Sequence, residues 1–307
     1  MTKVFIDGSA GTTGLRIRER LKERKDLELM ILPDERRKET AARKEMLSAA
    51  DIAFLCLPDD AAIEAAALSE GMDTVIIDTS TAHRTNDEWT YGFPEIRSLR
   101  DQIRTSIRIA NPGCYASGFI ALISPLVEAG IIRSDAALSC FGISGYSGGG
   151  KKMIAQYESD ETDPLLDAPR MYALTQSHKH LPEMVRISGL SVSPVFTPVV
   201  AAYYSGMEIT VPLFGKDAAG GKKSVEECYR EYYNNGLVHY VPDAGENGFL
   251  SVGALSGKDT MEISVFGNDE RMILCARFDN LGKGASGAAI QNMNLALGLP
   301  EDLGLAL

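Results

Sequence analysis

Short apolar runs and longer amphipathic stretches alternate through the first third of the chain. Lys3–Asp7 reads as a strand, and Thr13–Lys25, with Leu15, Ile17 and Leu21 spaced among charges, reads as a helix. Leu27–Leu32 is a second strand ending at Pro33-Asp34, and Lys38–Ala50 is a charged helix. Asp51–Leu57 is a buried strand stopped by Pro58, Ala61–Gly71 an Ala-rich helix, and Thr74–Asp78 a further strand before the polar loop Thr79–Arg84. This rhythm predicts an α/β fold: a Rossmann-type, doubly wound parallel sheet with ligands at the carboxyl ends of its strands.

After residue 113 the pattern changes. One helix, Ala116–Ala129, leads into β-rich stretches at Ala136–Ser144, Val192–Pro198, Ala201–Pro212, Thr260–Asn268 and Met272–Arg277. These predict a mixed sheet and hence an α+β domain over 114–283, following a nucleotide-binding domain over 1–113. Phe214–Lys223 reads as a surface loop and Ala285–Leu297 as a helix with small residues early.

Composition narrows the partners. The 307 residues, 45% hydrophobic and 24% charged, suit two globular domains, and no apolar run approaches the ~20 residues of a membrane helix. The chain opens on a strand and a glycine loop rather than a secretory signal, so a cytoplasmic location is expected. A net charge of −11 gives no general attraction to nucleic acid or anionic lipid, although an anionic small substrate needs only local donors. Five scattered cysteines without CxxC spacing argue against a disulfide framework or a zinc site, so cysteine chemistry should rest on one thiol.

Gly8-Ser9-Ala10-Gly11-Thr12-Thr13-Gly14 lies between a strand and a helix. Glycines there let backbone approach a pyrophosphate, whose charge falls on N–H groups at the helix start. The plain alternative is a tight strand–helix turn. After the second strand, Asp34-Glu35-Arg36-Arg37-Lys38 offers both signs of charge; its three cations favour NADP, with Arg36 or Arg37 on the 2′-phosphate, against a merely solvated turn.

In Asn111-Pro112-Gly113-Cys114-Tyr115-Ala116-Ser117-Gly118, Pro and Gly set a sharp turn before a helix. A cysteine there gains thiolate character from the dipole, and the same N–H groups suit an oxyanion. Cys56, Cys140 and Cys275 read as inert strand residues and Cys228 as a helical one. The nucleophile needs a proton partner, and His178 and His180 stand in Gln176-Ser177-His178-Lys179-His180-Leu181-Pro182-Glu183, where Glu183 suits an orienting role. His83 and His239 are the other histidines, and no third ligand supports a metal on His-x-His. Ser144-Gly145-Tyr146-Ser147-Gly148-Gly149-Gly150-Lys151 reads as an anion cradle for a substrate phosphate or carboxylate (Ser144, Gly145, Ser147, Gly148, Lys151), or as a flexible glycine linker.

Together, Asn111–Ser117, the Ser144–Lys152 segment, His178–Glu183 and Asn280-Leu281-Gly282-Lys283-Gly284-Ala285-Ser286-Gly287 resemble the N-acetyl-γ-glutamyl-phosphate reductases in their shorter form. That family groups with aspartate-semialdehyde and glyceraldehyde-3-phosphate dehydrogenases. The resemblance implies NADPH-dependent reductive dephosphorylation of an acyl phosphate through a thioester on Cys114, with His180 or His178 as acid/base and Glu183 orienting it. It also implies that 284–307 returns to the first domain, with Gly284 and Asn292 near the nicotinamide, and that the chain is a homodimer or homotetramer. Aspartate-semialdehyde dehydrogenase and a non-catalytic NADP-binding regulator are the competing readings.

Overall fold

The structure, a computed structural model, describes residues 1–96, 98–161 and 163–307. The chain divides into two compact units, Met1–Pro112 with Ala285–Leu305, and Gly113–Gly284 with Ala306–Leu307.

The first unit runs β1 (Thr2–Asp7), α1 (Thr12–Leu21), β2 (Leu27–Met30), α2 (Thr40–Ala49), β3 (Ile52–Leu55), α3 (Asp59–Leu68), β4 (Val75–Asp78), β5 (Thr90–Tyr91), α4 (Arg100–Thr105) and β6 (Arg108–Ala110). All six strands are parallel, in the order β2-β1-β3-β4-β6-β5. Apolar runs such as Val4-Phe5-Ile6 and Ile52–Leu55 are continuous because both sheet faces are covered. Val4, Ile6, Ile52 and Phe54 face one core with Ile17 and Leu21 of α1, while Phe5, Ala53 and Leu55 face another with Leu47 of α2. β1 has neighbours on both sides, so the loop after it opens at the point where strand order reverses.

The second unit begins with α5 (Cys114–Glu128), followed by β7 (Ser139–Gly145), α6 (Gly150–Tyr157), β8 (Arg170–Met171), α7 (Leu181–Ser188), β9 (Val195–Ala201), β10 (Met207–Phe214), α8 (Gly221–Tyr232), β11 (Val238–Tyr240), β12 (Met261–Gly267) and β13 (Arg271–Phe278). Its sheet is mixed, in the order β11-β12-β13-β10-β7-β9-β8. The sequence therefore specifies an α/β first unit and an α+β second unit. A π-helical turn at Gly282–Ser286 then leads into α9 (Gly287–Ala296), whose Ala289, Ile290 and Met293 join the first core.

Two boundaries differ from the sequence expectation. Ala201–Pro212 is not one strand: the Tyr203 N–H turns back onto the Ala201 carbonyl, and Gly206 at φ +117° has no room for a Cβ, which would lie 2.9 Å from the Val252 carbonyl oxygen. Within Phe214–Lys223 the irregular part is short, because α8 starts at Gly221.

α5 is buried on nearly every side and contains Pro125. Proline supplies no N–H to the carbonyl four residues back, which is that of Ala121. The Tyr233 hydroxyl donates to that carbonyl at 2.7 Å, and the Tyr229 hydroxyl donates to the Leu122 carbonyl at 2.6 Å. The tyrosines beside α8 thus complete the helix that begins at Cys114. Tyr233→Phe should leave the Ala121 carbonyl without this donor and lower stability by about 1–3 kcal/mol. In urea unfolding the midpoint should fall at constant m-value.

Candidate active site

In the first unit, Gly8 stands at φ +85°, and a Cβ there would lie 2.3 Å from the Cys56 carbonyl oxygen. A Cβ on Gly14 would lie 2.5 Å from the Gly8 carbonyl oxygen. Glycine is therefore required for the chain to fold this tightly around Gly8. The Gly11 N–H closes the turn on the Gly8 carbonyl, and α1 begins at Thr12 with no acidic residue in its first turn. Its opening N–H groups and the positive end of its dipole make an anion site. The Thr12 hydroxyl is buried with no hydrogen-bond partner among the described residues, an orphan that a ligand at the helix start would satisfy.

Arg37 lines the crevice with Asp34, Gly8, Ser9 and Ala10, and pairs with Asp34 at 3.3 Å. Arg36 instead pairs with Glu39 at 3.1 Å and lies 3.9 Å from Glu45. Beneath the loop, Arg43 holds Asp7 at 2.9 Å; desolvation raises the Asp7 carboxyl above its usual range, with Arg43 opposing the shift. Asn292, on α9, donates to the Gly92 carbonyl at 2.8 Å and to the Asn111 side chain at 3.2 Å, while its own Oδ1 is buried without a partner among the described residues. A glycine cradle, an open helix start and orphaned acceptors fit a dinucleotide. Also in this unit, His83 bonds Asp78 at 2.7 Å and stacks on Trp89, which leaves it a local role.

In the second unit, Cys114 is the first residue of α5 and Gly113 is its N-cap. The helix's first capping bond runs from Ser117 N–H to the Gly113 carbonyl, so the N–H groups of residues 114–116 precede the ladder. Cys114 is partly exposed, and a Cβ on Gly284 would lie 3.0 Å from its Cβ, so glycine there keeps the thiol's flank open. The other thiols differ. Burial pushes Cys56 and Cys275 up to about 12 and Cys140 higher still, while Cys228 donates to the Pro125 carbonyl at 3.6 Å.

Glu183, 1% exposed on α7, accepts the Gly113 N–H at 3.1 Å, and its other oxygen lies 3.9 Å from His180 Nε2. One carboxylate therefore spans from the turn before the cysteine to a histidine that is itself 5% exposed. His178 Nδ1 accepts the His180 N–H at 3.2 Å, and its ring sits among Tyr115, Tyr172, Phe196 and His180. Desolvation, helped by Lys179, lowers its imidazole to about 4. Burial likewise pushes the Tyr115 and Tyr172 phenols up, so both remain neutral donors. His239 is exposed on β11.

The glycine-rich segment is mostly built into the fold. The Ser147 hydroxyl accepts from Asn280 at 2.9 Å, and the Ser144 hydroxyl donates to the Gly145 carbonyl at 3.1 Å. Gly145 has no space for a side chain against the Tyr203 and Tyr204 carbonyls, Gly148 lies near Ser144 and Asn280, and Lys151 is exposed on α6. The contacts of Asn280, Tyr172, Phe196 and Gln176 escape sequence reasoning because they link residues far apart in the chain. No cluster of three or more metal-ligating side chains occurs among the described residues. Nor is any helix there long and apolar enough to cross a membrane.

Residues 3–106 match the family model "Semialdehyde dehydrogenase, NAD binding domain", and 114–280 match "Semialdehyde dehydrogenase, dimerisation domain". The N-acetyl-gamma-glutamyl-phosphate reductase of Sinorhizobium medicae is 46% identical over 306 residues, covering 96% of this chain and 98% of its own. N-acetyl-gamma-glutamyl-phosphate reductase 2 of a Nostoc species is 43% identical over 318 residues, covering 99% of both chains. Among solved structures, aspartate semialdehyde dehydrogenase II from Vibrio cholerae superposes with a TM-score of 0.74 at 18% identity, covering 97% of this chain and 98% of its own. Aspartate semialdehyde dehydrogenase with NADP from Candida albicans gives 0.65 at 15% identity, covering 97% and 99%. At those identities the solved structures speak for the fold alone.

Proposed function

Because the chain belongs to the N-acetyl-γ-glutamyl-phosphate reductase family of semialdehyde dehydrogenases, and is thus an oxidoreductase of amino-acid biosynthesis, we propose that it reduces N-acetyl-γ-glutamyl phosphate to N-acetyl-glutamate 5-semialdehyde with Cys114 as nucleophile. The step belongs to arginine biosynthesis and releases inorganic phosphate. The observation that carries the assignment of Cys114 is its place at the start of α5, joined through Glu183 to His180.

The Cys114 thiol gives its proton to His180, and the sulfur attacks the acyl carbon. The N–H groups at the start of α5 take the charge of the carbonyl oxygen. As the C–O bond to phosphate breaks, His180 returns the proton to the leaving phosphate oxygen, and a thioester remains on Cys114. This thioester would accept a hydride from reduced dinucleotide held at the Gly8–Gly14 loop and the start of α1. The resulting oxyanion reforms its carbonyl, the C–S bond breaks, the aldehyde leaves, and the sulfur takes up a proton from solvent to restore the Cys114 thiol. Glu183, 3.9 Å from the His180 Nε2, orients the ring while phosphate departs. Desolvation lowers the His178 imidazole to about 4, so it is neutral near pH 7, and this favours His180 as the proton carrier.

Assaying the reverse reaction tests this: N-acetyl-glutamate 5-semialdehyde with phosphate and NADP⁺ should reduce the cofactor, and aspartate semialdehyde should not. The opposite preference makes the chain an aspartate-semialdehyde dehydrogenase, and inactivity with both leaves a dinucleotide-binding regulator.

NADP is the cofactor this reading favours. It rests on Arg37, the cation that lines the crevice, with Arg36 turned toward α2. Arg37→Ala should weaken NADPH binding by about tenfold, the effect of one charge-assisted contact. NADH should be little affected, and Arg36→Ala should do less; fluorescence titration reads both. Equal losses for the two dinucleotides would exclude recognition of the 2′-phosphate by Arg37.

The same membership suggests a homo-oligomer built on the seven-stranded sheet. One face of that sheet carries exposed Phe141, Val195, Phe214 and Ile273, which a second copy would cover. Sedimentation should find a dimer or a tetramer.

A further inference from the structure

β8 pairs with β9 only at Arg170–Val200 and Met171–Val199, and the last ladder bond is Tyr172 N–H to the Pro198 carbonyl at 3.1 Å. Two residues along β9, the main chain of Phe196 presents its N–H and carbonyl to the same edge. The Gln176 side chain takes both: its Nε2 donates to the Phe196 carbonyl at 2.7 Å, and its Oε1 accepts the Phe196 N–H at 2.9 Å. An amide side chain thus replaces a strand residue where β8 has left the sheet.

The backbone bends sharply to bring it there. Ala173 stands at φ +52° and Gln176 at φ +57°, left-handed conformations that residues with a Cβ adopt only when their surroundings impose them. Two residues beyond Gln176, His178 packs its ring on Phe196, the residue that Gln176 clamps, with centroids 5.1 Å apart. Its Nδ1 accepts the His180 N–H, and its carbonyl accepts from Leu181, where α7 begins. The chain of contacts therefore runs from the edge of β9, through Gln176 and His178, to the His180–Glu183 pair at the Cys114 turn.

We infer that Gln176 is a positioning residue for this reaction: its two bonds to the Phe196 main chain set where the histidine loop stands against Cys114. The inference rests on the assignment of Cys114 and His180 proposed above. Gln176 touches no reacting atom. Its effect passes through the loop, where a displacement of about 1 Å costs about 10²-fold in rate.

Gln176→Gly in the full chain is the decisive variant, because glycine accepts φ +57° and removes only the clamp. The kcat should fall by about 10- to 100-fold. The KM for the acyl phosphate and NADPH binding should stay within about twofold. NMR titration of the imidazoles gives a readout independent of turnover. With the loop released, His178 should titrate above its present value of about 4, towards 6.5. Its immediate surroundings are Lys179, His180, Tyr115, Tyr172 and Phe196, and the Lys179 ammonium is among the causes that lower it. An unchanged His178 titration, or a kcat within twofold of the parent, overturns the inference. If the parent chain lacks reductase activity, the proposed reaction fails, and the His178 titration still decides whether Gln176 holds the loop.

Discussion

An alanine at position 114 should remove reductase turnover by about 10⁴-fold or more, as loss of a covalent nucleophile does elsewhere, while dinucleotide binding is retained. No other thiol is placed to substitute. Cys56 and Cys275 ionise only near 12 because their surroundings are desolvated, and Cys228 is engaged with the Pro125 carbonyl. The glycine loop that fits the dinucleotide belongs to the other compact unit, so its binding should not depend on this side chain. Steady-state rates beside a fluorescence titration with NADPH separate the two functions. Loss of both together would make Cys114 a packing residue, held against Gly284, rather than a nucleophile.

Replacing His180 with glutamine should lower kcat by about 10²–10⁴-fold, the usual contribution of a positioned acid/base, whereas His178→Gln should cost far less. The difference follows from environment rather than spacing. His180 lies with its Nε2 3.9 Å from the Glu183 carboxylate. His178 sits among aromatic rings whose desolvation holds it at about 4. Its folded value lies below the ordinary 6.5, so the unfolded chain binds the extra proton first. Stability tied to His178 is therefore complete above about pH 6.5 and is lost progressively as pH falls towards 4. Urea unfolding at pH 7 and pH 5 checks the sign. The parent should lose stability at the lower pH, and His178→Gln should lose less. Should His178→Gln prove as inactive as His180→Gln at neutral pH, the claim that His180 alone carries the proton would lose its support.

The first unit was legible because its pattern is local. Buried strands such as Ile52–Leu55 show as unbroken apolar runs, and Gly8 and Gly14 stand where backbone meets backbone. Cys114 was legible for the same reason: a Pro-Gly turn and a helix start lie side by side in the sequence. What escaped was non-local. The break between β9 and β10 falls at Ser205-Gly206, with apolar residues on either side, and Gly206 there packs against the Val252 carbonyl, far along the chain. The link from Glu183 to the Gly113 N–H joins residues 70 positions apart, and Gln176 reaches Phe196 across 20. The sequence placed His178 and His180 in one motif, but only their surroundings distinguish them: Glu183 beside one, aromatic rings around the other. Arg36 and Arg37 are adjacent in sequence yet face different partners, because Glu39 and Glu45 draw one away while the other stays at the crevice.

Mixing the protein with N-acetyl-γ-glutamyl phosphate without NADPH, quenching in acid and digesting it tests the covalent step most directly. Phosphate should appear in a burst of one equivalent per chain, and the peptide that spans the Asn111–Ser117 turn should carry the acyl group on Cys114. Absence of the burst, or an acyl group on any other cysteine, would contradict a thioester at the start of this helix.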